Sequence, residues 1–268
     1  MAAPFAACLV LTGIHAYLGI HVVERGVIFV DLALAQIAAL GATVGFLTGY
    51  GLHSSTGYFF SLGFAFAGAV IFSFTRFKDQ RVPHEAFIGV VYAMAAAASI
   101  LVLSRAPEGG EELKSLLVGH ILFVEWEEVL KMAVIYSVIG FLHWAARRPL
   151  LFISQRPQEA IAEGLPVRWW DLFFYTTFAF VVTSSVEIAG VLLVFSFLIV
   201  PAICGVLLAH TIGRRLWIGW GIGVFASMLG ISTSYVWDLP TGAAVVCTFG
   251  IVLLVVIGFR AAFSAVRW

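Results

Sequence analysis

Ionisable side chains inside apolar runs are the residues of this chain whose type and position point to chemistry. They are few: Asp31, Glu187, His15, His21 and His143. A charge placed in hydrocarbon costs at least ~2.5–3.5 kcal/mol on insertion scales, so such groups normally face a protein interior and mark a pathway. Carboxylate and imidazole are also the groups that manganese and zinc accept as ligands. At ~100° per residue on a helix, His15 and His21 point about 120° apart and make no joint metal face; they read as hydrogen-bonded packing residues. Asp31 is the best single candidate for a metal or pathway residue. Its rival role is structural, as the partner of Arg25 at the membrane edge.

Enzymatic chemistry has no foothold here. The chain holds no Gly-rich phosphate loop, no His-Glu-x-x-His and no nucleophile elbow with partners. Cys8, Cys204 and Cys247 all fall in apolar runs, so they form neither a disulfide framework nor a CxxC metal site. Zero formal charge and a pI near 7.1 argue against a nucleic-acid partner, which needs a basic face.

The elements that position these groups follow from composition. The chain is 62% hydrophobic and 11% charged, whereas soluble domains are about half apolar and about a quarter charged. Apolar runs of roughly 17–25 residues, the length that crosses ~30 Å of hydrocarbon, recur along its length. They predict an all-α, polytopic membrane protein with one transmembrane domain over 1–268. Nine spans are expected at about 4–23, 27–50, 57–75, 87–104, 131–146, 170–186, 188–209, 215–236 and 241–260, with soft boundaries. The first run has no Lys or Arg before it and reads as a span, not a cleaved signal. An eight-span count is the rival, because only Glu187 and small residues interrupt the stretch from 172 to 209.

Cytoplasmic loops collect Lys and Arg. With nine spans and the N-terminus outside, twelve of the 15 basic residues fall inside; only Arg105, Lys114 and Lys131 stay outside. The expected topology is N-out and C-in, with a long acidic external loop at 105–130. Within that loop, Glu111–Val124 is expected to form a short amphipathic surface segment.

The informative cytoplasmic segment is 147–169, RRPLLFISQRPQEAIAEGLPVRW. Pro157 can open a helix, Gln158–Glu163 favours one, and Gly164 with Pro166 ends it. A short rigid knob between two spans suits docking into a soluble partner; a plain connector is the other reading. Pro201, inside the seventh span, removes a backbone hydrogen bond and kinks its helix.

Over Ser154–Ala209 the sequence resembles the permease subunits of metal-type ABC importers. The resemblance is carried by Glu-Ala-x-x-x-Gly-x-Pro at Glu159–Pro166, Gly190-x-Leu-Leu-Val and Leu-Ile-Val-Pro-Ala at Leu198–Ala202. Arg25–Gly41, His84–Gly89 and Asp238–Gly242 extend it to nearly the whole chain. It implies a homodimer in a bacterial inner membrane, with the pathway between the two copies. Two cytoplasmic ATP-binding subunits would bind the ATP and supply the work. An external solute-binding protein would deliver zinc, manganese or iron, and this chain would hold no cofactor and catalyse nothing. Gln158, Glu159, Ala160, Gly164 and Pro166 would make the coupling helix, and Pro201 would be a gate element. Many members carry Asp-x-x-x-His on the second span; aligned here, those positions hold Leu32 and Gln36. Asp31 sits one residue early and Gln36 is a neutral oxygen donor, so the usual site is altered or absent. Two other readings remain: a proton- or sodium-driven transporter, which expects paired midplane carboxylates or broken helices, and a structural subunit of a larger complex.

Overall fold

Backbone amides in lipid must be satisfied within their own segment, which helices do. The computed structural model describes residues 2–51, 54–75, 83–104 and 119–265, and no strand occurs among them. The helices are α1 (Ala2–Arg25), α2 (Val30–Leu47), α3 (Ser55–Phe74), α4 (His84–Leu103), α5 (Trp126–Ala145), α6 (Arg147–Gln155), α7 (Pro157–Ala162), α8 (Val167–Ala189), α9 (Val191–Leu208), α10 (Ile212–Trp237) and α11 (Thr241–Ala265). A 3₁₀ turn at Ile121–Phe123 precedes α5.

Among the described residues nine helices are long and apolar enough to cross a membrane, in agreement with the nine-run reading. The sixth and seventh spans part at Gly190, three residues beyond Glu187, where φ is +75°. Only glycine takes such a backbone without strain, so the break follows backbone freedom and not charge. The helix after the acidic stretch also begins earlier than expected, at Trp126 and not beyond 130. Glu127 and Glu128 lie in the first turn of α5, where the helix dipole favours acidic groups, and Glu128 Oε2 accepts from the Glu125 amide at 2.9 Å. Most of the expected Glu111–Val124 segment, and the basic residues Arg76, Lys78, Arg81, Arg105 and Lys114, lie outside the described residues.

The helices group into two units. The first gathers the described residues of Met1–Val23, Val118–Tyr136 and Ile188–Trp268, with α9, α10 and α11 packed on one another. Its backbones approach closely: a Cβ at Gly19 would collide with the Leu198 carbonyl, and one at Gly205 would lie 2.5 Å from that of Arg215. Small residues make such contacts possible in membranes. Gly119 lies against the Ala189–Gly190 backbone, and the His120 amide donates to the Ile188 carbonyl at 2.9 Å, covering the α8–α9 break.

The second unit gathers the described residues of Glu24–Leu117 and Ser137–Glu187. There α2 packs on α3 and α4. Edge-on ring pairs Phe66–Phe180, Phe72–Tyr175 and Phe74–Trp169 join α3 to α8. Large apolar side chains such as Leu101, Val236 and Leu254 stand about 70% exposed, a surface that lipid covers and water does not tolerate. Exposed Trp126, Trp144, Trp169 and Trp237 sit at or near span ends, where amphipathic rings suit the headgroup region.

Candidate functional site

The segment 147–169 contains two helices between its flanking spans, where the sequence reading expected one. α6 precedes the knob; its apolar side buries Leu150 and Ile153 while Arg147 and Arg148 stay outside. α7 opens with Pro157 at its first position, where a missing amide is harmless. It closes as a Schellman turn: the Gly164 amide donates to the Ile161 carbonyl and the Leu165 amide to that of Ala160, both at 3.0 Å. Gly164 has φ +77°, the left-handed backbone that this turn requires. Ala160 is fully buried with Ile153 and Val167, and Phe152, Leu165 and Trp170 pack around them. Ala160 therefore anchors the knob from beneath. Gln158, Glu159, Ile161, Ala162, Glu163, Gly164 and Pro166 face outward, with Ile161 46% exposed.

Beneath the knob lies an ion pair that the sequence reading did not contain. Arg25, the last residue of α1, donates from Nη1 to Asp171 Oδ1 at 2.6 Å, and both side chains are 1% exposed. Its Nε donates to Ser154 Oγ on α6 at 2.9 Å, and its guanidinium stacks 4.1 Å from the Phe174 ring centroid. Removing one member of a buried pair costs about 3–5 kcal/mol, whereas replacing both by apolar groups is often neutral. The expected Arg25–Asp31 pair is therefore corrected: Arg25 is held by Asp171 and Ser154. Asp171 follows two tryptophans near the start of α8, just inside the expected sixth span. The available signal was its sign and place, an acid at the same expected membrane edge as Arg25.

Asp31 is 1% exposed, and neither carboxylate oxygen has a hydrogen-bond partner among the described residues. Gln36, one and a half turns on, is 5% exposed, while Leu32 is half-buried. Pro201 is buried in α9, with Gly219 of α10 close to its carbonyl. His15 donates from Nδ1 to the Leu11 carbonyl at 2.9 Å and meets the Tyr136 ring edge-on. His21 stacks edge-on with Tyr17. The Thr177 hydroxyl donates to the carbonyls of its own helix, so it accepts from His143 Nε2 at 2.7 Å. These histidines are packing groups, and no three His, Cys, Asp or Glu residues converge among the described residues.

Among the described residues, then, nine membrane-length helices carry a short capped helix, a buried ion pair and a buried carboxylate. The model of the ABC 3 transport family matches residues 1–260. The chain belongs to that family. A probable iron transport system membrane protein of Haemophilus influenzae is 25% identical over 238 residues, 89% of this chain and 85% of the relative. The manganese transport system membrane protein MntC of Listeria innocua is 23% identical over 246 residues, 90% and 84% of the two chains. In fold, this ABC 3 permease is similar to PsaBC from Streptococcus pneumoniae in complex with Fab, with TM-score 0.78 at 20% identity over 95% of this chain and 90% of that one. An inward-facing metal-chelate type ABC transporter gives TM-score 0.70 at 18% identity, covering 96% and 85%.

Proposed function

We propose that this permease is the membrane subunit of an ATP-driven importer of a divalent transition metal, and that it works as a homodimer in a bacterial cytoplasmic membrane. Two cytoplasmic ATP-binding subunits dock, one on α7 of each copy, and an external solute-binding protein delivers the ion. The N-terminus faces outward and the C-terminus inward. The observation that carries this reading is α7: a short helix pinned from below by Ala160 and presenting Gln158, Glu159, Ile161 and Glu163 to solvent. Family membership and the manganese and iron systems of its relatives support a metal cargo, with zinc as the third choice. A proton- or sodium-driven mechanism is less well supported, because it calls for paired midplane carboxylates.

Asp31 is the proposed charge of the pathway, assisted by Gln36, with Pro201 as a gate element. A buried carboxylate without a partner is unfavourable for the fold alone. Its burial fits a role toward a cation, and the engagement of Arg25 by Asp171 and Ser154 removes the simplest structural reason for it.

The test is reconstitution. The chain alone should hydrolyse no ATP, and co-expression with its cognate cassette subunit should give a two-plus-two complex that takes up Mn²⁺ with ATP. Robust hydrolysis by the isolated chain, or no association with a cassette subunit, overturns the reading. Single cysteines at Phe123 and Gln158 should label from opposite sides of the membrane.

A further inference from the structure

The buried ion pair stands where three pieces of chain meet. Arg25 ends α1 and opens the turn into α2, with Gly26 at φ +64° immediately after it. Ser154 lies near the end of α6, and only Arg156 separates α6 from α7. Asp171 lies in the second turn of α8 and follows the residues that pack under Ala160. One guanidinium thus holds the base of the knob at Ser154 and the foot of α8 at Asp171. The chain that carries the guanidinium continues directly into α2 and Asp31.

We infer that Arg25 and Asp171 are positioning residues that transmit displacement of the docking helix to the α1–α2 elbow, and so to the start of α2. The inference rests on the reading of α7 as the docking helix. α7 is clamped to α6 and α8 by apolar packing and by its Schellman turn, so a push on its outer face moves the three as one piece. A contact between such a piece and the α1–α2 elbow transmits motion only if it is short, directional and shielded from water. Charge-assisted hydrogen bonds between side chains 1% exposed meet that condition. A glycine next to the attachment point lets the elbow turn without opposing it. Arg25 also lies over Phe174 at 4.1 Å and Tyr175 at 5.9 Å, so sideways escape of the guanidinium is blocked.

The experiment uses the whole transporter, the permease assembled with its cassette subunits in phosphatidylethanolamine–phosphatidylglycerol vesicles. Arg25→Met/Asp171→Leu removes both charges while filling their space, and Ser154→Ala breaks the link to α6 while keeping the Asp171 pair, at the cost also of the hydroxyl's bond to the Leu150 carbonyl within α6. Two quantities are read: Mn²⁺ taken up per ATP hydrolysed, and the nucleotide dependence of thiol labelling at Phe29→Cys. Phe29 is 45% exposed near the start of α2, and the exposed Cys247 is replaced by Ser. The double variant should assemble and hydrolyse ATP while uptake per ATP falls roughly fivefold or more, and labelling should lose its nucleotide dependence. Ser154→Ala should lower the ratio about twofold to threefold. An assembled double variant with wild-type stoichiometry and labelling overturns the inference. If the double variant fails to assemble, Ser154→Ala decides: a lowered ratio supports the strut and an unchanged one overturns it. A wild-type chain that binds no cassette subunit and shows no nucleotide-dependent labelling fails at the permease reading instead.

Discussion

Each of the two units of this permease is held together internally, and by different chemistry. In the first, Gly19, Gly205, Gly219 and Gly223 bring backbones or short side chains into close approach, and its buried polar groups, such as Thr12, Ser227 and Ser234, donate to carbonyls of the chain around them. In the second, glycine contacts such as Gly41 against the Phe60 carbonyl remain, but Asp31, Asp171 and the Arg25 side chain are buried as well. Packing alone can hold helices in lipid. A buried charge adds nothing to that task that Leu would not do at lower cost, so the second unit is where departures from pure packing call for a functional reason.

The largest effect should come from breaking packing in the first unit. Gly19→Val drives two methyl groups into the Leu198 backbone, which cannot rotate away as a side chain can. The loss should exceed the ~1–3 kcal/mol of ordinary overpacking. No monodisperse peak should survive size exclusion in detergent. Gly13→Ala is the control: its Cβ meets nothing within 4 Å, and the variant should elute as wild type. A well-behaved Gly19→Val protein would mean that close backbone contact does not hold this unit.

Next in size is the charge node of the second unit. Asp171→Asn leaves Arg25 buried beside a neutral group and should destabilise by about 3–5 kcal/mol, while Arg25→Met/Asp171→Leu should recover most of that. Thermal unfolding in detergent checks both. If the double variant is as unstable as the single one, the pair holds the fold itself. Outside both cores, Glu159→Lys on α7 should leave thermal stability unchanged, since the residue faces water. It should weaken cassette binding about tenfold, as a reversed charge does at a complementary interface.

How much of this was legible in the sequence depends on the scale of the signal. Apolar runs of span length are long-range and redundant, and all nine emerged as helices. The knob was legible because Pro157, Gly164 and Pro166 are local backbone instructions. The Gly190 break was misplaced to Glu187, because inside an apolar stretch a charge is conspicuous and a glycine is not. The sequence names no helix at α6, since its amphipathic face matters only once α7 and α8 exist to cover it. The Arg25–Asp171 pair was invisible for a related reason: its members are 146 residues apart. Nothing in one chain states which of several acids at a membrane edge an arginine will choose.

The smallest change in stability should come at Asp31, and it separates the two explanations of that residue. Had Asp31 paired with Arg25, Asp31→Asn would lower the melting temperature, and Arg25→Gln would do the same by the same route. With neither carboxylate oxygen hydrogen-bonded among the described residues, the Asn variant gives up no such contact. It also removes a group that is unfavourable in its ionised form. Asp31→Asn should therefore melt no lower than wild type, with cassette binding intact, while Mn²⁺ uptake per folded molecule falls by about tenfold through loss of a charge that acts in a low dielectric. Gln36→Ala should reduce uptake less, because a neutral amide at most assists an ion already held by charge. A lowered melting temperature for Asp31→Asn would return the residue to the scaffold and make the two units alike. Unchanged uptake per folded molecule would remove Asp31 from the pathway and leave Arg25–Asp171 as the only buried charges in the second unit with a proposed task.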